Sequence, residues 1–91
     1  IVLFNGVGTC SASSSSASIQ MQFQTTSDGA IAGGADSGNK SVTTNGDQVV
    51  ILEAYKIQLA KNTAYRGFIT TTITGTASAY GDITVFEVRR V

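Results

Sequence analysis

The sequence predicts an all-β fold, a small antiparallel β-sandwich or jelly-roll-like module that is completed by oligomerisation. First, the 91 residues include 10 Ser, 12 Thr and 10 Gly but no Pro, His or Trp. Second, hydrophobic residues reach 42%, which is too high for a disordered chain. Third, about five to seven short apolar runs alternate with turn signals, the pattern of a sandwich. This is few strands for a complete sandwich, so we expect the missing ones from a neighbouring segment or from symmetric subunits.

The N-terminal third of the chain predicts two strands separated by a linker. Residues 1–4 are apolar and predict a short strand, and residues 5–8 predict a turn because they contain two glycines. Residues 10–18 are rich in serine and predict a linker. Residues 18–24 alternate strictly between glutamine or serine and large apolar side chains, which indicates a half-buried strand.

The remaining two thirds predict one long loop followed by further strands. Residues 25–46 hold five of the ten glycines and predict a long loop or loose hairpin. Residues 52–60 fit either a helix or a strand, and the β-branched run before them favours strands. Residues 65–74 and 82–91 predict two more strands, with a break at residues 76–81.

These elements predict one β-rich domain or a fragment of a longer one. Its expected parts are an N-terminal strand and turn at 1–9, a serine-rich linker at 10–18 and a β-sandwich core at 19–91. Both ends are apolar and resemble strands, so we expect a processed chain or a segment of a longer protein. No apolar run approaches the ~20 residues of a membrane-spanning helix, and we expect no membrane insertion.

The composition argues against catalysis, cofactors and nucleic acid. Six basic residues balance six acidic ones, whereas phosphate binding needs a basic face. The lack of His removes the commonest general base and zinc ligand. The single cysteine, Cys10, lacks a basic partner, and a structural role is favoured over a nucleophilic one. Asp28, Asp36 and Asp47 lie in or beside the glycine-rich region, where solvated turn residues are favoured over a calcium site. We therefore expect no enzyme, and no catalytic, cofactor or metal site.

Amide and tyrosine side chains are the candidate interface or recognition residues. Three glutamines share one face of the alternating strand, and tyrosines carry the polar tips that suit interfaces. The alternative is that the glutamines cover a solvent face and the tyrosines close the rim of the core. The candidates are Gln20, Gln22, Gln24, Tyr55, Tyr65 and Tyr80.

Motifs in the second half of the chain resemble a known class of domain. In chain order they are Gln48-Val49-Val50, Leu59-Ala60-Lys61-Asn62-Thr63-Ala64-Tyr65, Gly67-Phe68-Ile69, and Gly81-Asp82 with Phe86-Glu87-Val88-Arg89-Arg90. Their succession is similar to that in the β-sandwich domains of tailed-bacteriophage virion structural proteins, tail fibres in particular. The resemblance covers about half the chain, and residues 51–58 lengthen one link of the pattern.

The resemblance implies a virion structural module in a tail fibre or an associated tail or capsid protein. Its implied roles are assembly and host-surface attachment. The implied partners are further copies of the chain (a homotrimer or another homo-oligomer), other virion proteins and a host cell-surface glycan. The implied location is the virion, assembled in the host cytoplasm. The alternatives are a bacterial surface adhesin or carbohydrate-binding module and, less favoured, a small hydrolase that uses Ser or Cys10.

Overall fold

The chain folds as a two-sheet antiparallel β-sandwich, as its sequence predicts. The computed structural model describes residues 1–87, and within them it contains seven strands and no helix. The strands are β1 (Val2–Cys10), β2 (Ser16–Thr25), β3 (Ile31–Asp36), β4 (Lys40–Val42), β5 (Gln48–Tyr55), β6 (Tyr65–Thr74) and β7 (Ala77–Val85). The described residues therefore include no helix that could span a membrane.

Each sheet is built around one central strand. In the first sheet β1 lies between β5 and β7, so that Val7 is opposite both Val50 and Tyr80. In the second sheet β2 pairs along its whole length with β6, from Ser16 opposite Thr74 to Thr25 opposite Tyr65. The other edge of β2 is shared by β4 and β3, which follow each other along it. All pairings are antiparallel.

The core lies between the two central strands. Alternate residues of β1 and β2 are buried, because each strand has neighbours on both sides and one face turned to the other sheet. The Phe4 ring is fully buried and lies 5.1 Å from the ring of Tyr55. The largest fully buried side chains are Phe4, Ile19, Met21, Ile51, Val2 and Cys10.

A pair of glycines makes room for the long side chain at the centre of this core. Gly6 of β1 lies directly opposite Gly81 of β7. A Cβ atom on Gly6 would lie 3.0 Å from the Met21 sulfur, and one on Gly81 would lie 3.3 Å from the Met21 methyl group. The thioether thus occupies the space that two side chains would otherwise need. This explains why a central strand contains glycine at an inward-facing position.

The expected turn and linker near the N-terminus need correction. Residues 5–8 belong to β1, which continues to Cys10, and β2 already begins at Ser16, so only residues 11–15 connect these two strands. Glycine at two of these positions resembles a turn signal, but here it serves close packing within a paired strand. Cys10 is buried, with its sulfur 3.2 Å from the carbonyl oxygen of Ser15, and it packs with Ala17 and Val42.

The expected long loop at residues 25–46 also needs correction, because it contains β3 and β4. Both are short edge strands that complete the hydrogen bonding of β2. Between them, the backbone N–H of Ser37 donates to the Met21 carbonyl at 2.9 Å, and the Ser37 hydroxyl accepts from the Met21 N–H at 2.8 Å. Pairing of this kind needs few apolar side chains, which is why the hydrophobic pattern did not reveal it.

The later strands follow the prediction in part. A strand at residues 65–74 is confirmed as β6. Within residues 52–60 the strand ends at Tyr55, and residues 56–60 have no regular structure and no helix. The expected break at residues 76–81 is wrong, since β7 begins at Ala77. Residues 88–91 of the last predicted strand lie outside the described residues.

Candidate interaction surfaces

Polar side chains form a continuous hydrogen-bonded row on the outer face of the second sheet. Gln20 and Gln22 donate through their amide nitrogens to the two carboxylate oxygens of Asp36, at 3.0 and 3.2 Å. Gln24 donates to the Gln22 oxygen at 2.6 Å, and Arg66 donates to the Gln24 oxygen at 2.8 Å. We call these five residues the amide row. It brings together the three predicted glutamines and two charged residues that the sequence reading did not link to them.

The negative end of the amide row is held ionised. The side-chain hydrogen bond from Gln20 lowers the pKa of Asp36, and the backbone N–H of Gly38, at 2.8 Å, and the Gln22 amide lower it further. All three groups donate to the carboxylate, so they favour its charged form. Since the folded protein lowers the pKa, the stabilisation is present above the pKa of the unfolded chain and is lost as the pH falls through the folded value.

We therefore expect Asp36→Asn to reduce stability at neutral pH more than at low pH. Asp36 is exposed, so the loss at pH 7 should be about 0.5 kcal/mol or less. Urea unfolding of the wild type and the variant at pH 7 and pH 3 measures the difference. The difference between their unfolding free energies should be smaller at pH 3 than at pH 7. An equal difference at both pH values would contradict a stabilising role for the ionised Asp36 carboxylate.

Two of the predicted tyrosines are half-buried, and their rings and hydroxyl groups contact the rest of the fold. The Tyr55 hydroxyl lies 3.1 Å from the Asp36 carbonyl and also bonds the Glu53 carboxylate. Burial, together with that carboxylate, raises the pKa of Tyr55 to about 12. The Tyr65 ring is stacked on Phe23 with centroids 5.4 Å apart. Its hydroxyl accepts from the backbone N–H of Ala60 at 2.8 Å. Both tyrosines occupy the rim of the core, the alternative that the sequence left open.

The third predicted tyrosine lies in an apolar patch on the outer face of the first sheet. Tyr80 is 68% exposed, and across β1 from it lies Val50, with Val7 between them. Leu52, two residues along β5 on the same face, is 71% exposed. We call these four residues the outer patch. Sequence reasoning missed Val50 and Leu52, because an apolar run alone does not show which of its side chains face the core.

The two lateral sides of the sandwich differ in how they are closed. Beside β5 and β3, Tyr55 bonds the Asp36 carbonyl across the gap, and Ile57 fills the space above Gly33. Beside β6 and β7, which we call the open side, Ile83 of β7 packs over Gly67 near the start of β6, but the rest of β6 is less covered. There Ile69 and Ile73, whose positions on β6 match the inward-facing Met21 and Ala17, remain 37% and 47% exposed.

A cleft of about 750 Å³ lies at one end of the sandwich. It is lined by Ile1 and Val2, by residues 56–59 and by residues 85–87. The N-terminal ammonium group of Ile1 donates to the Phe86 carbonyl at 2.8 Å beside it. This geometry ties the two chain segments together at that end.

One acidic residue of the glycine-rich region, Asp28, acts in a turn. The Asp28 carboxylate accepts from the Thr25 hydroxyl at 2.6 Å and from the Ala30 N–H at 3.0 Å, and these bonds lower its pKa. Among residues 1–87 no three Cys, Asp or Glu side chains come together in a way that could hold a metal ion.

Comparison with known proteins gives no relative: no family model, curated protein or solved structure matches this chain.

Proposed function

We propose that the chain is a structural module of a tailed-phage virion, from a tail fibre or an associated tail or capsid protein, that works by self-association. The observation that supports self-association is the open side of the sandwich. Two long strands, β6 and β7, end the two sheets there, and the inward-facing Ile69 and Ile73 of β6 remain 37% and 47% exposed. Exposed edges and apolar side chains of this kind are sites of pairing between chains.

The assignment to a virion depends on the resemblance of the motifs in residues 48–90, whereas assembly depends on the open side. Both point to a protein whose task is to build a scaffold. In this role the strands bury apolar faces between subunits, and the outer faces of the sheets remain available for contacts. The outer patch then offers a surface to other virion proteins, because interface cores are enriched in aromatic and apolar side chains.

The proposal predicts an oligomer in solution. Light scattering coupled to size-exclusion chromatography, over a dilution series of the chain, should give a mass that is a multiple of 9.4 kDa at micromolar concentration. Circular dichroism on the same samples reports whether the β-sheet is retained. A monomer that keeps its β-sheet spectrum at the highest concentration would contradict self-association.

A second candidate function is carbohydrate binding, either in host attachment or in a bacterial surface adhesin. The amide row favours it, since amide side chains and the charged residues at the two ends of the row lie on one face, with the Arg66 guanidinium 5.3 Å from the centre of the Phe68 ring. Tyr80 offers a separate exposed ring on the opposite sheet. Glycan-array binding of the chain tests this function. Loss of signal in Gln22→Ala would assign it to the amide row, and loss in Tyr80→Ala to the outer patch.

A further inference from the structure

We propose that β6 is the strand through which two copies of the chain associate, paired antiparallel about a two-fold axis at Thr71. This inference depends on the proposed self-association and specifies its surface and register. It joins the second sheets of two copies into one continuous sheet. The occupant of the open side is thus a second copy of the chain.

The free edge of β6 lacks the usual protection against pairing. The strand pairs with β2 over ten consecutive residues without a register shift, so no bulge interrupts it. It contains no Pro and no Lys, and its one charged residue, Arg66, is next to its first residue. Natural sheets protect exposed edges with short strands, lysines, prolines or bulges. A strand of this length with none of these is suited to accept another strand.

The pattern of side chains along β6 argues for a second copy in one register. In antiparallel strands, directly opposite residues lie on the same face of the sheet. A two-fold axis that relates two copies of one strand must therefore lie between a residue and its own counterpart in the second copy. With the axis at Thr71, Ile69 lies opposite Ile73 of the second copy, and both isoleucine pairs are formed on the inner face. With the axis at Thr70 or Thr72, each isoleucine faces Thr or Gly instead. Of these three registers, the one at Thr71 brings the partly exposed isoleucines of both copies together.

Charge and side-chain pairing agree with this register. In this register the pairing runs from Phe68 opposite Thr74, and Arg66 lies beyond the last pair, so no like charges meet along the strand. Thr71 faces its own counterpart, and Thr70 faces Thr72, and such threonine pairs stabilise antiparallel strands. The interface is isologous and closes on itself, so it yields a dimer. It therefore favours another homo-oligomer over the homotrimer that the resemblance implies.

A lysine at the axis tests the register. In Thr71→Lys the two ammonium groups lie directly opposite each other, and the dimer dissociation constant should rise at least about tenfold. The matched control is Thr72→Lys, one residue along the exposed strand, whose lysine faces Thr70 of the second copy and should change the constant by less than about threefold. Dilution series measured by light scattering give both constants, and circular dichroism confirms that both variants keep the fold. Equal effects of the two lysines would overturn the register.

Cysteine cross-linking gives an independent test and separates the two proposals. Under mild oxidation Thr71→Cys should form a covalent dimer, because the two side chains meet at the axis. Thr72→Cys should form little, and the wild type none, since Cys10 is buried. If the wild type is a folded monomer, self-association and the β6 pairing both fail. If it is an oligomer whose Thr71→Cys variant does not cross-link, the proposed function stands and the β6 pairing fails.

Discussion

Replacing Phe4 with alanine is expected to lower the free energy of unfolding by about 3–5 kcal/mol. The ring is fully buried on the central strand of the first sheet, packs against Tyr55, and belongs to the main core cluster. Its removal leaves a cavity in addition to the lost transfer energy, because strands on both sides of β1 prevent the backbone from collapsing. A domain of this size has only about 5–14 kcal/mol of stability in total, so the variant should be close to unfolding.

The matched control for this prediction is Phe68→Ala, which removes the same ring from the outer face of β6. Phe68 is 42% exposed, and its described contact is with Arg66, so the cost should be about 0.5–1 kcal/mol. Guanidinium unfolding followed by circular dichroism measures the loss of unfolding free energy in each variant. All samples should have the same protein concentration, because self-association makes stability concentration-dependent. Similar losses for the two variants would show that the core is not centred on β1.

The sequence predicts a strand well where the two faces of that strand differ in chemistry. In β2, Ile19, Met21 and Phe23 are buried, and the glutamines between them face outward, so periodicity alone identifies the strand. In β5 the same reasoning gives the strand but not its orientation, since Val50, Ile51 and Leu52 are all apolar. The structure turns Ile51 inward and leaves the other two exposed.

The sequence fails where a strand depends on its neighbours. β1 contains Gly6 and Gly8, which resemble a turn until the Met21 side chain and the facing glycine of β7 are seen together. β3 and β4 carry few apolar side chains and exist because the edge of β2 needs hydrogen-bond partners. These are long-range relations, and no local window of sequence contains them.

The same limit applies to the candidate surfaces. The glutamine ladder follows from the period of β2, but its two charged ends come from other strands, Asp36 from β3 and Arg66 from β6. Tyr55 and Tyr80 are alike as residue types, yet one bonds across the closed side while the other is exposed. Which tyrosine is available for recognition is decided by packing.

The proposed dimer would also change what the amide row presents. A two-fold axis perpendicular to the second sheet keeps the outer faces of both copies on the same side. Two amide rows would then lie on one continuous face, related by the axis at Thr71. A surface with two equivalent sites gains avidity for a repeating ligand without any new contact. In the proposed dimer, pairing through β6 and binding of a repetitive glycan surface by the two amide rows are therefore compatible.

Replacing Gly81 with alanine is expected to cost about 1–3 kcal/mol of stability through overpacking. The added Cβ would lie 2.7 Å from the Asn5 carbonyl oxygen and 3.0 Å from the Gly6 Cα, and both are backbone atoms of the paired strand. Backbone atoms cannot move away without disturbing the β1–β7 ladder, and the Met21 methyl group at 3.3 Å blocks the remaining space. The variant should therefore unfold at a clearly lower guanidinium concentration than the wild type.

The matched control is Gly8→Ala, on the inward face of the adjoining strand. Its added Cβ would meet a Val49 methyl group at 3.2 Å, which a small side-chain shift can relieve, and the Ala17 Cβ at 3.5 Å, an ordinary van der Waals distance. The loss there should stay below about 1 kcal/mol. If Gly8→Ala cost as much as Gly81→Ala, general crowding of the core would account for both losses. A larger loss at Gly81 would assign the effect to the close approach of β1 and β7, the contact that lets a methionine occupy the centre of so small a sandwich.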